Sequence, residues 1–302
     1  MNSKRVLSIQ SHVVHGYVGN KSATFPLQIL GFEVDCINSV QFSNHTGYKI
    51  FKGQILNDND LEDLYDALEK NDLIQKYSHL LTGYIGSVTF LKKIIEIIKK
   101  MKSKNPNLLY VCDPVMGDNG KMYVPKDLLP IYRDEVIPLA DIVTPNQYEM
   151  ELLCDKKILN IKDVWEHVNW FHERNVNTVV LSSADFGNFD EILSFLSSKS
   201  NNIKSTIKIS KQGNGISFTG TGDLFAALYL AYSFENPNII DAFEKTINTL
   251  QVVIQKTLES MPNEVKSGKR NIQPQDKELK IIQCKREIEC PKGSIKAETL
   301  MK

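Results

Sequence analysis

Apolar residues along the chain recur with two periods, and the two alternate. "RVLSIQ" (5–10) reads as a buried strand, and "NKSATFPLQILG" (20–31) has helical spacing with Gly31 to close it. "FEVDCINSV" follows as a second strand, "DLEDLYDALEK" returns to the helical period, and "HLLTGY" is strand-like. "VTFLKKIIEIIKKMK" puts its apolar residues on one helix face and its lysines on the other. "LLYVCDP" and "DIVTPN", the latter ended by Pro145, are further strands; "QYEMELL" and "DVWEHVNWFHER" are helical, and "TVVLSS" is extended. Between Phe189 and Ser210 the pattern is two strands around a polar Ser/Asn turn, a hairpin set into the alternation. Two helices, 223–234 and about 239–259, precede a charged tail, in which 263–277 is expected to be a surface loop and "LKIIQCKREIE" an edge strand. Such alternation implies an α/β fold: three layers, doubly wound, with a mostly parallel central sheet and helices on both faces. Neither an internal repeat nor a linker divides the sequence, so a single domain, 1–302, is expected.

Composition narrows the partners. Apolar residues at 42% and charged residues at 24% are those of a soluble globular protein, not of a disordered or fibrous one. Thirty-six basic residues balance thirty-six acidic ones, so no global field favours nucleic acid or an anionic membrane, and a small partner is expected. Five cysteines (Cys36, Cys112, Cys154, Cys284, Cys290) without a CxxC pair argue against a disulfide framework and a structural zinc site, and favour reduced thiols in the cytosol. The apolar run near the first residues is too short for a signal peptide, and no stretch of about 18 uninterrupted apolar residues offers a membrane span.

In doubly wound folds, ligands sit at the carboxyl ends of the strands. Several predicted strands end there in polar residues that a core cannot use: Ser11, Tyr84, Asp113, Thr144 with Asn146, and Ser182 with Ser183. Any one of them alone would suit a turn; together they suggest one rim. Asp113 precedes Pro114, which forces it into an extended conformation and projects its carboxylate from the strand end. Asp118 in "VMGDNGK" is either a turn residue or a second carboxylate for a hard cation such as Mg²⁺ carrying phosphate oxygens. Glu149, one turn into the helix opened by "TPNQYE", is either a partner behind such a metal or the acid that any helix start favours.

"TGTGD" (219–223) is the densest signal. Gly220 and Gly222 allow successive amides to point into one concavity, an anion nest reinforced by the start of the following helix. It is neither a Walker A loop nor a dinucleotide fingerprint. Asp223 has two readings: a helix cap worth about 1 kcal/mol, or a general base that takes a proton from a substrate hydroxyl. The helix start is expected to lower its pKa, leaving a weak base, which phosphoryl transfer tolerates because positioning and charge neutralisation dominate. Two loops near the N-terminus hold His12, His15, Tyr17, Phe42, His45, Thr46 and Tyr48, a set suited to a flat polar ring and without the helical spacing of a histidine metal site. His79, His167 and His172 are expected on the surface.

"SVQFSNHTGY", "RVLSIQSHVVHGYVGNKSATFPLQILGFEVD", "LTGY", "YVCDPVMGDNGKMYVP", "ADIVTPNQYEMELL" and "GTGDLFAA" together resemble the pyridoxal kinases of the ribokinase-like superfamily. The resemblance extends over most of the chain, apart from roughly residues 185–216. It implies ATP-dependent phosphorylation of the 5′-hydroxyl of pyridoxal, pyridoxine or pyridoxamine by a cytoplasmic homodimer that uses Mg²⁺ or another divalent cation, and K⁺. Asp223 falls on the family's catalytic base, and Gly220, Thr221 and Gly222 on its anion hole. Ser11 and Thr46 fall on its pyridine-ring contacts, with Val18, Phe42, His45 and Tyr84 lining that pocket. Asp113, Asp118, Asn146 and Glu149 match the metal and phosphate region; Thr144 and Ser182, with Asp113, match the surroundings of the monovalent cation, and Ser183 joins the ATP-binding set. The sequence departs from the pattern in a loop between Asp118 and Tyr123 that is shorter than in the animal enzymes it resembles, in Ser182 where threonine is expected, and in "KQGNG", which leaves the adenine contacts unassigned. Three alternatives stay open: a hydroxymethylpyrimidine or sugar kinase on the same scaffold, a binding protein that has lost turnover, and a nicotinamide-dependent oxidoreductase, which lacks its glycine fingerprint here.

Overall fold

The computed structural model describes residues 4–213 and 216–300. In chain order the strands are β1 (Arg5–Val13), β2 (Glu33–Phe42), β3 (Gly53–Ile55), β4 (His79–Thr82), β5 (Leu109–Cys112), β6 (Gly117–Asp118), β7 (Lys121–Met122), β8 (Ile142–Val143), β9 (Thr178–Ala184), β10 (Glu191–Ser198), β11 (Ile203–Ser210) and β12 (Glu298–Thr299). The helices are α1 (Asn20–Ile29), α2 (Asp58–Lys70), α3 (Val88–Lys104), α4 (Leu128–Ile131), α5 (Gln147–Cys154), α6 (Ile161–Glu173), α7 (Thr221–Glu235), α8 (Ile239–Glu259), α9 (Asn263–Lys266) and α10 (Lys285–Glu289).

Ten strands form one sheet in the order β12-β11-β10-β9-β8-β5-β4-β1-β2-β3, and β6 pairs with β7 in a separate small hairpin. Every neighbouring pair from β9 to β2 is parallel; β3 at one edge and β10, β11 and β12 at the other are antiparallel. From β1 the chain crosses through α1 to β2, then returns past β1 to β4 on its other side. The winding therefore reverses at β1, and a crevice opens where the crossovers part.

Alternation along the strands explains the layers. Val6, Leu81, Val111 and Val180 pack with Leu27 of α1, Phe225 and Leu228 of α7 and Phe243 of α8. Leu7, Leu80, Tyr110 and Val179 point the other way, onto Leu61, Ile94, Ile98, Met150 and Phe171 from α2, α3, α5 and α6. Successive side chains on opposite faces of a strand thus supply two cores. Helix α3 shows the local logic: the Ser87 hydroxyl caps its start by accepting from Phe90 N–H, seven apolar residues from Phe90 to Met101 are buried, and Lys102 and Lys104 close its last turn. Helix α7 differs, with Leu224 to Tyr232 buried all round, because the sheet, α1 and α8 enclose it.

Three expectations change. "LKIIQCKREIE" is no edge strand: Leu279, Ile281, Cys284 and Ile288 are buried at a spacing that becomes helical, and the segment turns through Ile282–Cys284 into α10. The edge strand is β12, which meets β11 through Ser205–Thr299 and Thr206–Glu298. The stretch 263–277 carries α9 and a 3₁₀ turn at Pro274–Lys277, with Asp276 buried against Arg270 at 2.8 Å. Two of the three histidines, His79 and His167, are buried, and His172 is half-buried. His79 is buried edge-on against Phe32 and Phe234, and burial pushes it down to about 4. The His167 ring is held between the carbonyl oxygens of Asp163 and Lys156, and His172 bridges Val176 O and Ser197 Oγ. All five cysteines are free, and no helix among the described residues is long and apolar enough to cross a membrane.

Candidate active site

At the carboxyl ends of the parallel strands lies a cavity of about 390 Å³. Its wall includes Ser11 from β1, Phe42, His45 and Thr46 from the end of β2 and its loop, Tyr84 after β4, Asp113 after β5, Thr144 after β8, and Ser182 and Ser183 of β9. Val18, Asp118, Asn146, Glu149, Gly220, Thr221, Gly222 and Asp223 join them, so the strand tips do form one rim, whereas His12, His15, Tyr17 and Tyr48 of the two N-terminal loops do not line the cavity. Sequence reasoning missed Lys121, Tyr123 and Phe218 on the same wall. The first two sit in the β6–β7 hairpin, where Asn119 and Gly120 both have positive φ (49° and 77°). An Asn-Gly pair is the usual signal for that turn and was available in "GDNGK". Asn214 and Gly215 of "KQGNG" lie outside the described residues.

The start of α7 is built for an anion. Gly220 is its N-cap, with φ 88° and no side-chain cap, so the first amides of the helix have no intrahelical partner. A Cβ at Gly220 would stand 2.1 Å from the Tyr17 carbonyl oxygen, so only glycine fits against the β1 loop. A Cβ on Gly222 would lie 3.7 Å from Asp113 Oδ2, which places that carboxylate directly across from the nest.

Asp223 is not the cap of α7; it stands in the first turn, and its carboxylate accepts from Gly19 N–H. Its pKa is raised rather than lowered: burial outweighs the Gly19 backbone hydrogen bond. The expected weak base is therefore a stronger one.

Asp113 is buried, and burial, then Glu149, then Asp223 push its carboxyl well above the ordinary value. Its Oδ2 and the neighbouring Thr144 Oγ1 are buried against each other without another protein partner, oxygens that would fit the shell of a cation. Glu149 is engaged differently. Its Oε2 accepts from Asn146 N–H at 2.9 Å and its Oε1 from Met116 N–H at 3.0 Å, so it serves as half of a capping box and also grips the root of the β6–β7 hairpin. Burial pushes it up to about 8 against those amides. Asp118 turns its oxygens to Asn119 N–H and Nδ2, as a turn residue does, while still facing the cavity. Among the described residues no three His, Cys, Asp or Glu side chains converge into a metal cage. A cation held by few protein ligands, phosphate and water suits Mg²⁺.

These shifts have a sign in stability. A carboxyl whose folded pKa is raised holds more protons folded than unfolded, so stability falls as pH rises from its unfolded value through its folded one. The histidines with lowered pKa values, His12, His45, His79 and His172, act oppositely, but only below about pH 6.5, the ordinary histidine value. Between about pH 6.5 and 8, where Glu149 still titrates, the unfolding midpoint of ligand-free protein is expected to decline with rising pH. Thermal melts at half-unit intervals check this; a midpoint that rises across that window would contradict the assignment.

The family model described as phosphomethylpyrimidine kinase matches residues 76–268. Over 98% of both chains the sequence is 45% identical to the pyridoxal kinase of Homo sapiens. It is 48% identical to that of Arabidopsis thaliana, over 97% of this chain and 94% of the relative. The fold is similar to that of the Leishmania donovani pyridoxal kinase solved in complex with ADP and pyridoxamine, with TM-score 0.90, 32% identity, and coverage of 99% of this chain and 100% of that one. With relatives of that identity along its whole length and a rim built from the residues that carry the resemblance, this chain belongs to the pyridoxal kinase family.

Proposed function

We propose that the protein transfers the γ-phosphoryl group of ATP to the 5′-hydroxyl of pyridoxal, and likewise of pyridoxine and pyridoxamine, giving ADP and the 5′-phosphate. The observation that carries this reading is that Asp223, the anion nest of α7 and Asp113 share one cavity with Ser11, Val18, Phe42, His45, Thr46 and Tyr84. The Ser11 and Thr46 hydroxyls supply polar contacts to the pyridine ring, and Val18, Phe42, His45 and Tyr84 supply its walls.

Asp223 accepts the 5′-hydroxyl proton as that oxygen attacks the γ-phosphorus, and the bond to the β–γ bridging oxygen breaks as ADP leaves. The amides at Gly220, Thr221 and Gly222 face the charge that builds on the transferring group. Asn146, Glu149, Ser182, Ser183 and Thr221 border the nucleotide. Lys121 is the only lysine or arginine lining the cavity among the described residues, set against four carboxylates; it adds positive charge on the hairpin over the phosphates. Asp113, Asp118 and Thr144 would hold the divalent cation, with Glu149 behind them, and a cation bound there would neutralise phosphate charge. Asp113, Thr144 and Ser182 offer oxygens to K⁺. A single domain, a homodimer and a cytoplasmic location complete the reading.

The family model begins after Ser11, Val18, Phe42, His45 and Thr46, so it speaks to phosphoryl transfer and leaves the acceptor to the rest of the chain. Purified protein with Mg-ATP and a panel of pyridoxal, pyridoxine, pyridoxamine, hydroxymethylpyrimidine and ribose, followed by ADP release, tests the proposal. Vitamer-dependent ADP is expected; its absence sinks the kinase reading, and release with hydroxymethylpyrimidine alone transfers it to that substrate.

A further inference from the structure

Glu278 lies more than 200 residues from the N-terminal loops in sequence and is buried against them in space. Its Oε2 accepts from Tyr17 N–H at 3.1 Å, its Oε1 accepts from the Tyr48 hydroxyl at 2.9 Å, and the same Oε1 stands 3.5 Å from His45 Nε2. A Cβ on Gly16 would fall 2.2 Å from Oε2, so the loop after β1 is closely fitted around this carboxylate. Gly47 N–H donates to His45 Nδ1 at 3.1 Å, which puts the proton of the neutral ring on Nε2, toward Glu278. Nδ1 is thereby engaged and Nε2 faces the Glu278 carboxylate, so His45 presents its ring to the cavity.

Glu278 is itself held in place. Arg270 pairs with Asp276 at 2.8 Å, Asp276 accepts from Gln273 N–H at 2.8 Å, and Leu279 and Ile281 on its other side are fully buried.

We infer that Glu278 is a positioning residue for the acceptor pocket: from the C-terminal segment it ties the Gly16–Val18 loop to the His45–Tyr48 loop and fixes the orientation of the His45 ring on the cavity wall. All three of its partners are donors, so the role needs a carboxylate. An amide has one acceptor oxygen, and its NH₂ would be turned toward a donor. This inference rests on the kinase reading, which wild-type binding and turnover test by themselves.

The experiment compares wild type, Glu278→Gln, Glu278→Ala, Tyr48→Phe and the double variant Tyr48→Phe/Glu278→Gln. Pyridoxal binding is measured calorimetrically without ATP, the KM values for pyridoxal and for ATP are measured separately, and unfolding midpoints are recorded. Expected are a roughly tenfold or greater weakening of pyridoxal binding in Glu278→Gln and Glu278→Ala, a matching rise in the pyridoxal KM, and an ATP KM within twofold of wild type. Because Tyr48 and Glu278 act as one unit, the double variant is expected to bind no more weakly than Glu278→Gln alone. Pyridoxal binding within twofold of wild type in Glu278→Gln, equal rises in both KM values, or additive losses in the double variant would overturn the inference.

Discussion

Asp223→Asn is expected to bind pyridoxal within a few-fold of wild type and to turn it over at least about a hundredfold more slowly, the usual cost of losing a general base. Asparagine keeps the size of the side chain and an oxygen for the Gly19 N–H, so the floor of the cavity stays in place while the proton acceptor is lost. The raised pKa strengthens the expectation, since a carboxylate lifted by burial is better matched to a hydroxyl proton than an ordinary surface aspartate. Single-turnover kinetics alongside calorimetric pyridoxal binding separate the two quantities. Near-normal turnover would leave Asp223 a structural residue of the α7 start.

Gly220→Ala is the second large effect. The backbone there has φ 88°, and the added methyl would stand 2.1 Å from the Tyr17 carbonyl oxygen, a backbone atom that cannot swing aside. The left-handed conformation costs a non-glycine residue roughly 1–2 kcal/mol. Relief comes only by parting the α7 start from the β1 loop, which pulls the nest amides away from the phosphoryl group. Loss of one such donor typically costs about 10²–10³ in rate, so a kcat reduced at least about a hundredfold is expected, with the unfolding midpoint lowered by a few degrees. Gly222→Ala makes the comparison: its φ is ordinary and its nearest neighbour would be Asp113 Oδ2 at 3.7 Å, so its loss is expected to be smaller. Equal rates for Gly220→Ala and wild type would remove the nest from the mechanism.

The layered fold and the rim were legible because both rest on local rules. Strand and helix periods are written into consecutive residues, and polar tips such as Asp113 and Thr144 stand out where a strand leaves the core. What was not legible depends on the distant chain. Glu278 carries no mark in "DKELK", since its partners Tyr17 and Tyr48 lie at the other end of the sequence. The direction of the Asp223 shift was misjudged because a helix start is visible in "TGTGD" whereas the burial that sets the direction is not. His79 reads as a surface residue until Phe32 and Phe234 close over it. The tail misled in a different way: "LKIIQ" alternates as a strand does, but its apolar residues join the core around α1, α7 and α8 before they find a sheet edge.

The grip of Glu149 has a mechanical consequence. One carboxylate fastens the first turn of α5 and the root of the β6–β7 hairpin, and Asn146 Nδ2 adds a second rivet to Gly117 O at 2.8 Å. The hairpin is therefore clamped at its root, where Tyr123 N–H also donates to Met116 O at 2.8 Å, and Lys121 is presented to the cavity from a fixed base beside the Asp113 end of the cleft.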